Sequence, residues 1–200
     1  MKRILVYGDS NTWGDNPTGI RYSLEDLWVN ILASKMQDVV IDQHGLCARI
    51  AGGYEKSQSE HRNGHQYFQN SVMMSGPFDV LIIALGTNDL NTYYGRSSDD
   101  LIDDLLWYGN RLKSFADTKF SSVPPNNPIL VYLSIPNFVS SDYFEGNEAL
   151  RAEVNSVLEN TVENFIDLGN LELTSDGVHF SINDHKQVAN TVYDALKEKL

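Results

Sequence analysis

Cysteine occurs once, at Cys47, in a chain of 200 residues. A single thiol excludes an internal disulfide framework and fits a reducing compartment. Basic side chains are scarce as well: 15 Lys and Arg stand against 27 Asp and Glu, a formal net charge of −12. A surface of that sign repels phosphate backbones and anionic lipid headgroups, so neither nucleic acid nor a membrane surface is expected as a partner. Long apolar runs are missing too. Lys2 and Arg3 precede only Ile4 to Tyr7 before Gly8-Asp9-Ser10 interrupts. A secretory signal needs an apolar core of at least about 7 residues, and a membrane-spanning helix about 20. A cytoplasmic protein is the expectation.

What remains is ordinary globular composition, 42% hydrophobic and 21% charged. The length fits a single domain over residues 1–200, and a chain of this size buries about 70% of its unfolded surface without a disulfide or metal staple.

Short apolar runs alternate with longer stretches of helical period. Ile4 to Tyr7 reads as a buried strand ending at Gly8. A helix is predicted over Ser23 to Gln37, opened by a capping-box variant of Ser23 and Asp26, with Leu27, Ile31 and Leu32 on one face. Val39 to Ile41 reads as a second strand and Asp79 to Leu85 as a third. The third is apolar without alternation, as a central parallel strand covered on both faces should be. A helix follows from Ser98 to Ala116, then Pro124, Pro125 and Pro128 break the chain before a fourth strand, Ile129 to Ser134. Leu150, Val154, Leu158, Val162 and Phe165 mark another helix, with a fifth strand around Phe165 to Leu168. The last helix starts near Ser181, capped through Asp184. The polar stretch Gly52 to Ser75 reads as a loop leading into a helix from about Gly64. Alternating strands and helices specify an α/β fold with a parallel sheet, whose strand-to-helix loops gather at the carboxyl edge.

The unusual residues end those strands. The first runs into Gly8-Asp9-Ser10-Asn11-Thr12-Trp13-Gly14, the second into His44-Gly45-Leu46, and the third into Gly86-Thr87-Asn88-Asp89. Asp176-Gly177-Val178-His179 precedes the last helix. Acyl transfer demands what these segments contain. A serine hydroxyl needs a base, which His179 supplies to Ser10. A carboxylate must fix the imidazole tautomer, and Asp176 lies three residues before it. The oxyanion needs preorganised donors: the backbone amides of Ser10 and Gly45 and the side-chain amide of Asn88.

This set resembles the SGNH hydrolases, also called GDSL-type esterases and lipases. Their four letters fall on Ser10, Gly45, Asn88 and His179, with Asp176 completing an Asp-x-x-His segment, and the likeness runs from Gly8 to His179. The opening Gly-Asp-Ser-x-Thr-Trp-Gly is most similar to the small arylesterase and acyltransferase branch. The resemblance implies a three-layer, flavodoxin-like sandwich around a parallel five-stranded sheet, no cofactor, and hydrolysis of esters through a seryl acyl-enzyme; the leading expectation is a serine esterase for small acyl or acetyl esters. Asn11 stands where leucine or isoleucine is usual, and Cys47 where serine or glycine is commoner. Neither is expected to touch a catalytic group.

Other readings of single residues are plainer. Asp9 and Asp89 follow glycine-containing turns and are expected to tie down backbone amides rather than a metal, and no metal-ligand spacing occurs. His61, His65 and His185 read as solvated surface histidines, and Cys47 as a small buried apolar residue. Trp13 is assigned to one wall of an acyl pocket, while Trp28 and Trp107 read as core or interface. Tyr143 and Phe144 read as exposed aromatics lining a pocket or an interface, so a homo-oligomer is compatible with the sequence. The rivals are a carbohydrate O-acetyl deacetylase on the same triad, with Tyr93, Tyr94 and the Gly52–Ser75 loop lining a sugar site, and a non-catalytic flavodoxin-like binding module. A phospho-receiver fares poorly because Ile135-Pro136-Asn137 offers no lysine after the fourth strand. The α/β-hydrolase fold fares poorly because no G-x-S-x-G elbow occurs.

Overall fold

The computed structural model describes residues 1–53, 60–116, 128–139 and 143–200. Five strands, β1 (Lys2–Gly8), β2 (Val39–Gly45), β3 (Val80–Ala84), β4 (Ile129–Leu133) and β5 (Phe165–Ile166), form one sheet in the order β2-β1-β3-β4-β5. Every pairing is parallel. Among the described residues six α-helices accompany it: α1 (Ser10–Trp13), α2 (Trp28–Lys35), α3 (Gly64–Ser75), α4 (Ser98–Ala116), α5 (Glu148–Thr161) and α6 (Ile182–Leu196).

Each central strand is apolar throughout because it serves two cores at once. Leu5, Tyr7, Leu81, Ile83 and Tyr132 point to one side, where α3, α4 and α5 contribute Phe68, Leu105, Tyr108 and Leu158. Ile4, Val6, Val80, Ile82 and Val131 point to the other, against Trp28 and Leu32 of α2 and Val188 and Val192 of α6. The period-two alternation of a strand thus survives in direction while vanishing in polarity. The result is the expected α/β three-layer sandwich, in the flavodoxin-like strand order.

The chain leaves β1 toward β2 on one side and returns to β3 on the other. The crevice at the carboxyl ends of β1 and β3 is therefore the topological switch point, where open parallel sheets bind their ligands. The segments after β1, β2 and β3 all open there.

Three local expectations are corrected. The helix expected from Ser23 starts at Trp28, after a single 3₁₀ turn at Leu24–Asp26, and Ser23 makes no side-chain cap. Leu27 adopts an extended conformation and breaks the run. The N–H of Trp28 is instead accepted by the Nδ1 of His185, 3.2 Å away. The helix marked by Leu150 to Phe165 stops at Thr161, and Phe165 opens β5. Phe144 is buried against Phe138, although Tyr143 beside it is exposed. Pro124, Pro125 and the middle of the polar stretch after Gly52 lie outside the described residues. The capping box at Ser181 and Asp184 forms as expected.

Candidate active site

The turn after β1 is built for close approach. Gly8 lies so near α1 that a Cβ there would sit 2.1 Å from the Oγ1 of Thr12. Asp9 follows in an extended conformation and caps α1, its carboxylate accepting the Asn11 N–H at 2.9 Å. Burial pushes this carboxyl up to about 6, against the pull of the Asn11 N–H, His179, the Thr87 hydroxyl and Arg49. Its structural duty is as expected. Ser10 then stands as the first helical residue, and Gly14 ends the helix at φ 98°, its N–H donating to the Ser10 carbonyl at 2.8 Å. That left-handed conformation is one glycine adopts at little cost.

Ser10 and His179 come together across 169 residues, with Ser10 Oγ 3.1 Å from His179 Nε2. The other ring nitrogen, Nδ1, lies 2.7 Å from the Oδ2 of Asp176. The second oxygen of Asp176 accepts the N–H groups of Val178 and His179 at 2.9 and 3.0 Å and the Thr174 hydroxyl at 2.9 Å. Desolvation acts to raise this carboxyl, but the His179 N–H and ring, the Val178 N–H and the Thr174 hydroxyl outweigh it and hold it at about 2. Asp176 is therefore charged at neutral pH, and its bond to Nδ1–H leaves Nε2 free to accept a proton from Ser10.

Asn88 begins a 3₁₀ turn, Asn88–Leu90, just past β3. Its Nδ2 donates to the Arg49 carbonyl at 3.0 Å, which fixes the amide and leaves its second N–H for another acceptor. Gly86, at φ 119°, makes the turn possible, since a Cβ there would meet Ile135 at 2.6 Å. Asp89 is buried, and both its oxygens accept the Ala51 N–H, at 3.1 and 2.9 Å. Burial pushes its carboxyl up to about 7.

Gly45 closes β2 opposite Gly8. A side chain there would strike the backbone nitrogen of Trp13 at 2.3 Å, so glycine lets β2 and α1 touch. Three residues on, Ala48 holds φ 58°, a strained conformation for a residue with a Cβ. Arg49 anchors the turn beneath: its guanidinium donates to the Gly8 carbonyl at 2.8 Å and to the His44 carbonyl, and lies 4.0 Å over the Tyr7 ring. Trp13 is half-buried, with Arg21 bonded to its carbonyl at 2.6 Å and lying over its ring.

Several residues carry duties that the sequence reading missed. Asn11 bonds the backbone on both sides of His179, accepting the Phe180 N–H at 2.9 Å and donating to the Val178 carbonyl at 3.3 Å. Its departure from leucine therefore bears on the base after all. Cys47 is half-buried, and its thiol donates to Asp15, whose carboxylate lies 3.8 Å from His179 Nε2. His185 is fully buried, not solvated, and His65 is half-buried, stacked on Trp107 at 3.9 Å; only His61 is exposed. The position of His185 was legible: it falls on the stripe of Val188, Ala189, Val192 and Leu196, at helical spacing. Arg49 gave no sequence signal.

Among the described residues no group of three or more His, Cys, Asp or Glu is placed to hold a metal ion. No described helix is long and apolar enough to cross a membrane.

The fold is that of ester-cleaving α/β sandwiches. The native aryl esterase of M. smegmatis superposes with a TM-score of 0.87 at 25% identity, covering 100% of both chains. Est24, a carbohydrate acetylesterase from Sinorhizobium meliloti, gives 0.88 at 21%, again over 100% of both. A putative arylesterase from Agrobacterium tumefaciens str. C58 gives 0.84 at 22% over 100% of each chain. No match was found among curated proteins. The model of the GDSL-like Lipase/Acylhydrolase family matches residues 4–192, and the chain belongs to that family. It is a carboxylic ester hydrolase of the GDSL type.

Proposed function

We propose that the protein is a serine esterase for small acyl or acetyl esters, with residues 1–200 forming one catalytic domain. The observation that carries this is the unbroken line from Ser10 Oγ through the His179 ring to Asp176, at 3.1 and 2.7 Å. In this reading Ser10 Oγ attacks the ester carbonyl as its proton passes to His179 Nε2. The tetrahedral oxyanion is bound by the backbone N–H groups of Ser10 and Gly45 and by the second amide hydrogen of Asn88. The bond to the leaving alcohol then breaks, and the alcohol oxygen takes the proton from His179. A water molecule repeats the sequence on the acyl-enzyme, releasing the acid and restoring Ser10. Asp176 orients the ring and offsets the charge of the imidazolium. Trp13, the last residue of α1, forms one wall of the acyl site.

Hydrolysis of p-nitrophenyl esters from acetate to octanoate, by wild type and by Ser10→Ala, tests the reading. Turnover should vanish in the variant and fall with chain length in the wild type. Equal turnover in both proteins would overturn the role of Ser10.

A second reading, deacetylation of carbohydrates on the same triad, draws on Tyr93, which is 56% exposed and packs edge-on against Tyr94 in the segment following Asn88. An exposed aromatic face suits the apolar side of a sugar ring. Release of acetate from acetylated sugars in preference to aryl acetates would favour it.

A further inference from the structure

The serine-esterase reading leaves one carboxylate near the reacting atoms without a part. Asp15 follows Gly14 at the end of α1, its N–H held by the Ser10 carbonyl at 3.0 Å. Its Oδ1 accepts the Asn16 N–H at 2.9 Å, and its Oδ2 lies 3.8 Å from His179 Nε2. That histidine is its sole ion-pair partner among the described residues. The side chain is 24% exposed, so solvent or substrate reaches it. The Cys47 thiol also donates to it; burial, with the charge of Asp15 and this bond, pushes the thiol up to about 11. A carboxylate offers about four acceptor positions. Two are occupied by these donors.

The place matters because His179 Nε2 has two successive partners. It takes its proton from Ser10 Oγ and delivers it to the leaving alcohol, whose oxygen must then lie about 3 Å from that nitrogen. A carboxylate oxygen 3.8 Å from the same nitrogen is near enough to meet the groups that flank that alcohol oxygen. We propose that Asp15 is a specificity-determining residue for that alcohol, accepting hydrogen bonds from hydroxyl groups next to the scissile ester oxygen. Esters of polyols and sugars are thereby favoured over esters of plain alkanols, and alcohols that carry a carboxylate are rejected. Rejection has a second source in Asp9 and Asp176, both close to the same imidazole. This rests on Ser10 and His179 acting as proposed above.

The test compares three acetates that differ in the alcohol: glycerol monoacetate, n-propyl acetate and 2-acetoxypropanoate. Wild-type kcat/KM should rank them in that order. In Asp15→Ala, turnover of glycerol monoacetate should fall about tenfold or more relative to n-propyl acetate, the loss of a hydrogen bond to a charged group. Turnover of 2-acetoxypropanoate should rise relative to the same reference. Asp15→Asn, which keeps the Asn16 contact and a neutral acceptor, should fall between. An equal loss on all three esters would overturn the proposal, because Asp15 would then act through the His179 charge. Unchanged ratios in both variants would overturn it as well. The wild-type ranking decides even if neither variant folds, since n-propyl acetate matching or exceeding glycerol monoacetate contradicts the assignment. Turnover of p-nitrophenyl acetate by wild type and Ser10→Ala is run alongside. If Ser10 proves dispensable there, the esterase reading fails independently of the role of Asp15.

Discussion

The side-chain oxygen of Asn11 accepts the backbone N–H of Phe180 at 2.9 Å, joining the residue after Ser10 to the residue after His179. The same amide reaches the Val178 carbonyl at 3.3 Å. One side chain on α1 therefore brackets the histidine loop, and the 3.1 Å separation of Ser10 Oγ and His179 Nε2 is held from beside the pair as well as by Asp176. A leucine at this position has the volume but neither polar atom.

Asn11→Leu should leave the Phe180 N–H buried without a partner, destabilising the fold by about 1–3 kcal/mol. It should also lower kcat by about tenfold or more, since a base displaced from the nucleophile transfers protons poorly. Thermal unfolding and p-nitrophenyl acetate kinetics, measured on one preparation, check both. A wild-type kcat in Asn11→Leu would refute the positioning role.

In the proposed mechanism the second amide hydrogen of Asn88 binds the developing oxyanion rather than the ground-state ester, and Asn88→Ala removes that donor. The expected result is a kcat lower by about 100-fold or more with KM nearly unchanged. Its bond to the Arg49 carbonyl is lost as well, so circular dichroism should accompany the kinetics to show that the fold persists.

Gly45→Ala tests the close approach of β2 and α1. The added methyl meets backbone atoms of Trp13 at 2.3 and 2.7 Å, and backbone cannot swing aside as a flexible side chain can. Overpacking of this kind costs about 1–3 kcal/mol. The variant should melt earlier and lose activity together, because α1 carries Ser10. A variant with wild-type melting temperature would show that the contact relaxes freely.

His185 supplies a pH signature. Its ring is fully buried and accepts the Trp28 N–H, and burial lowers it from 6.5 to about 4. The unfolded chain therefore binds this proton at a higher pH than the folded one. The resulting loss of stability sets in as pH falls below about 6.5 and is complete below about 4, reaching about 3 kcal/mol. Asp9 and Asp89, raised to about 6 and about 7, act in the opposite sense, since the folded chain holds their protons more tightly. The difference between wild type and His185→Gln isolates the histidine. Chemical unfolding at pH 7.0, 5.5 and 4.5 (pH values chosen about the 6.5 to 4 window) should show a shallower acid decline in the variant. Parallel declines would place the acid sensitivity elsewhere.

Much of this architecture was legible in the sequence because it is written in local patterns. The short apolar runs at Ile4 to Tyr7 and within Asp79 to Leu85 fit buried parallel strands, being too short for a helix and bounded by glycine turns. Helix α4, described over Ser98–Ala116, was legible from the spacing of Leu101, Leu105, Leu112 and Phe115. The serine, asparagine, aspartate and histidine stand out as chemistry-bearing residues in turns, and strand order alone sends those turns to one edge. The family resemblance added Gly45, whose own letter says little.

Tertiary structure decided the rest. The sequence determined the α/β sandwich and which candidate residues its strand-ending turns carry, because hydrophobic period and turn composition are properties of neighbouring residues. It did not determine the start of α2, which depends on a histidine 157 residues away that supplies an acceptor in place of Ser23. Nor did it reveal that Asn11 holds Phe180, or that Asp15 faces His179 Nε2. Polar side chains that bond across the fold leave no periodic trace. Their roles exist only once packing has brought distant backbone within about 3 Å, where a hydrogen bond forms.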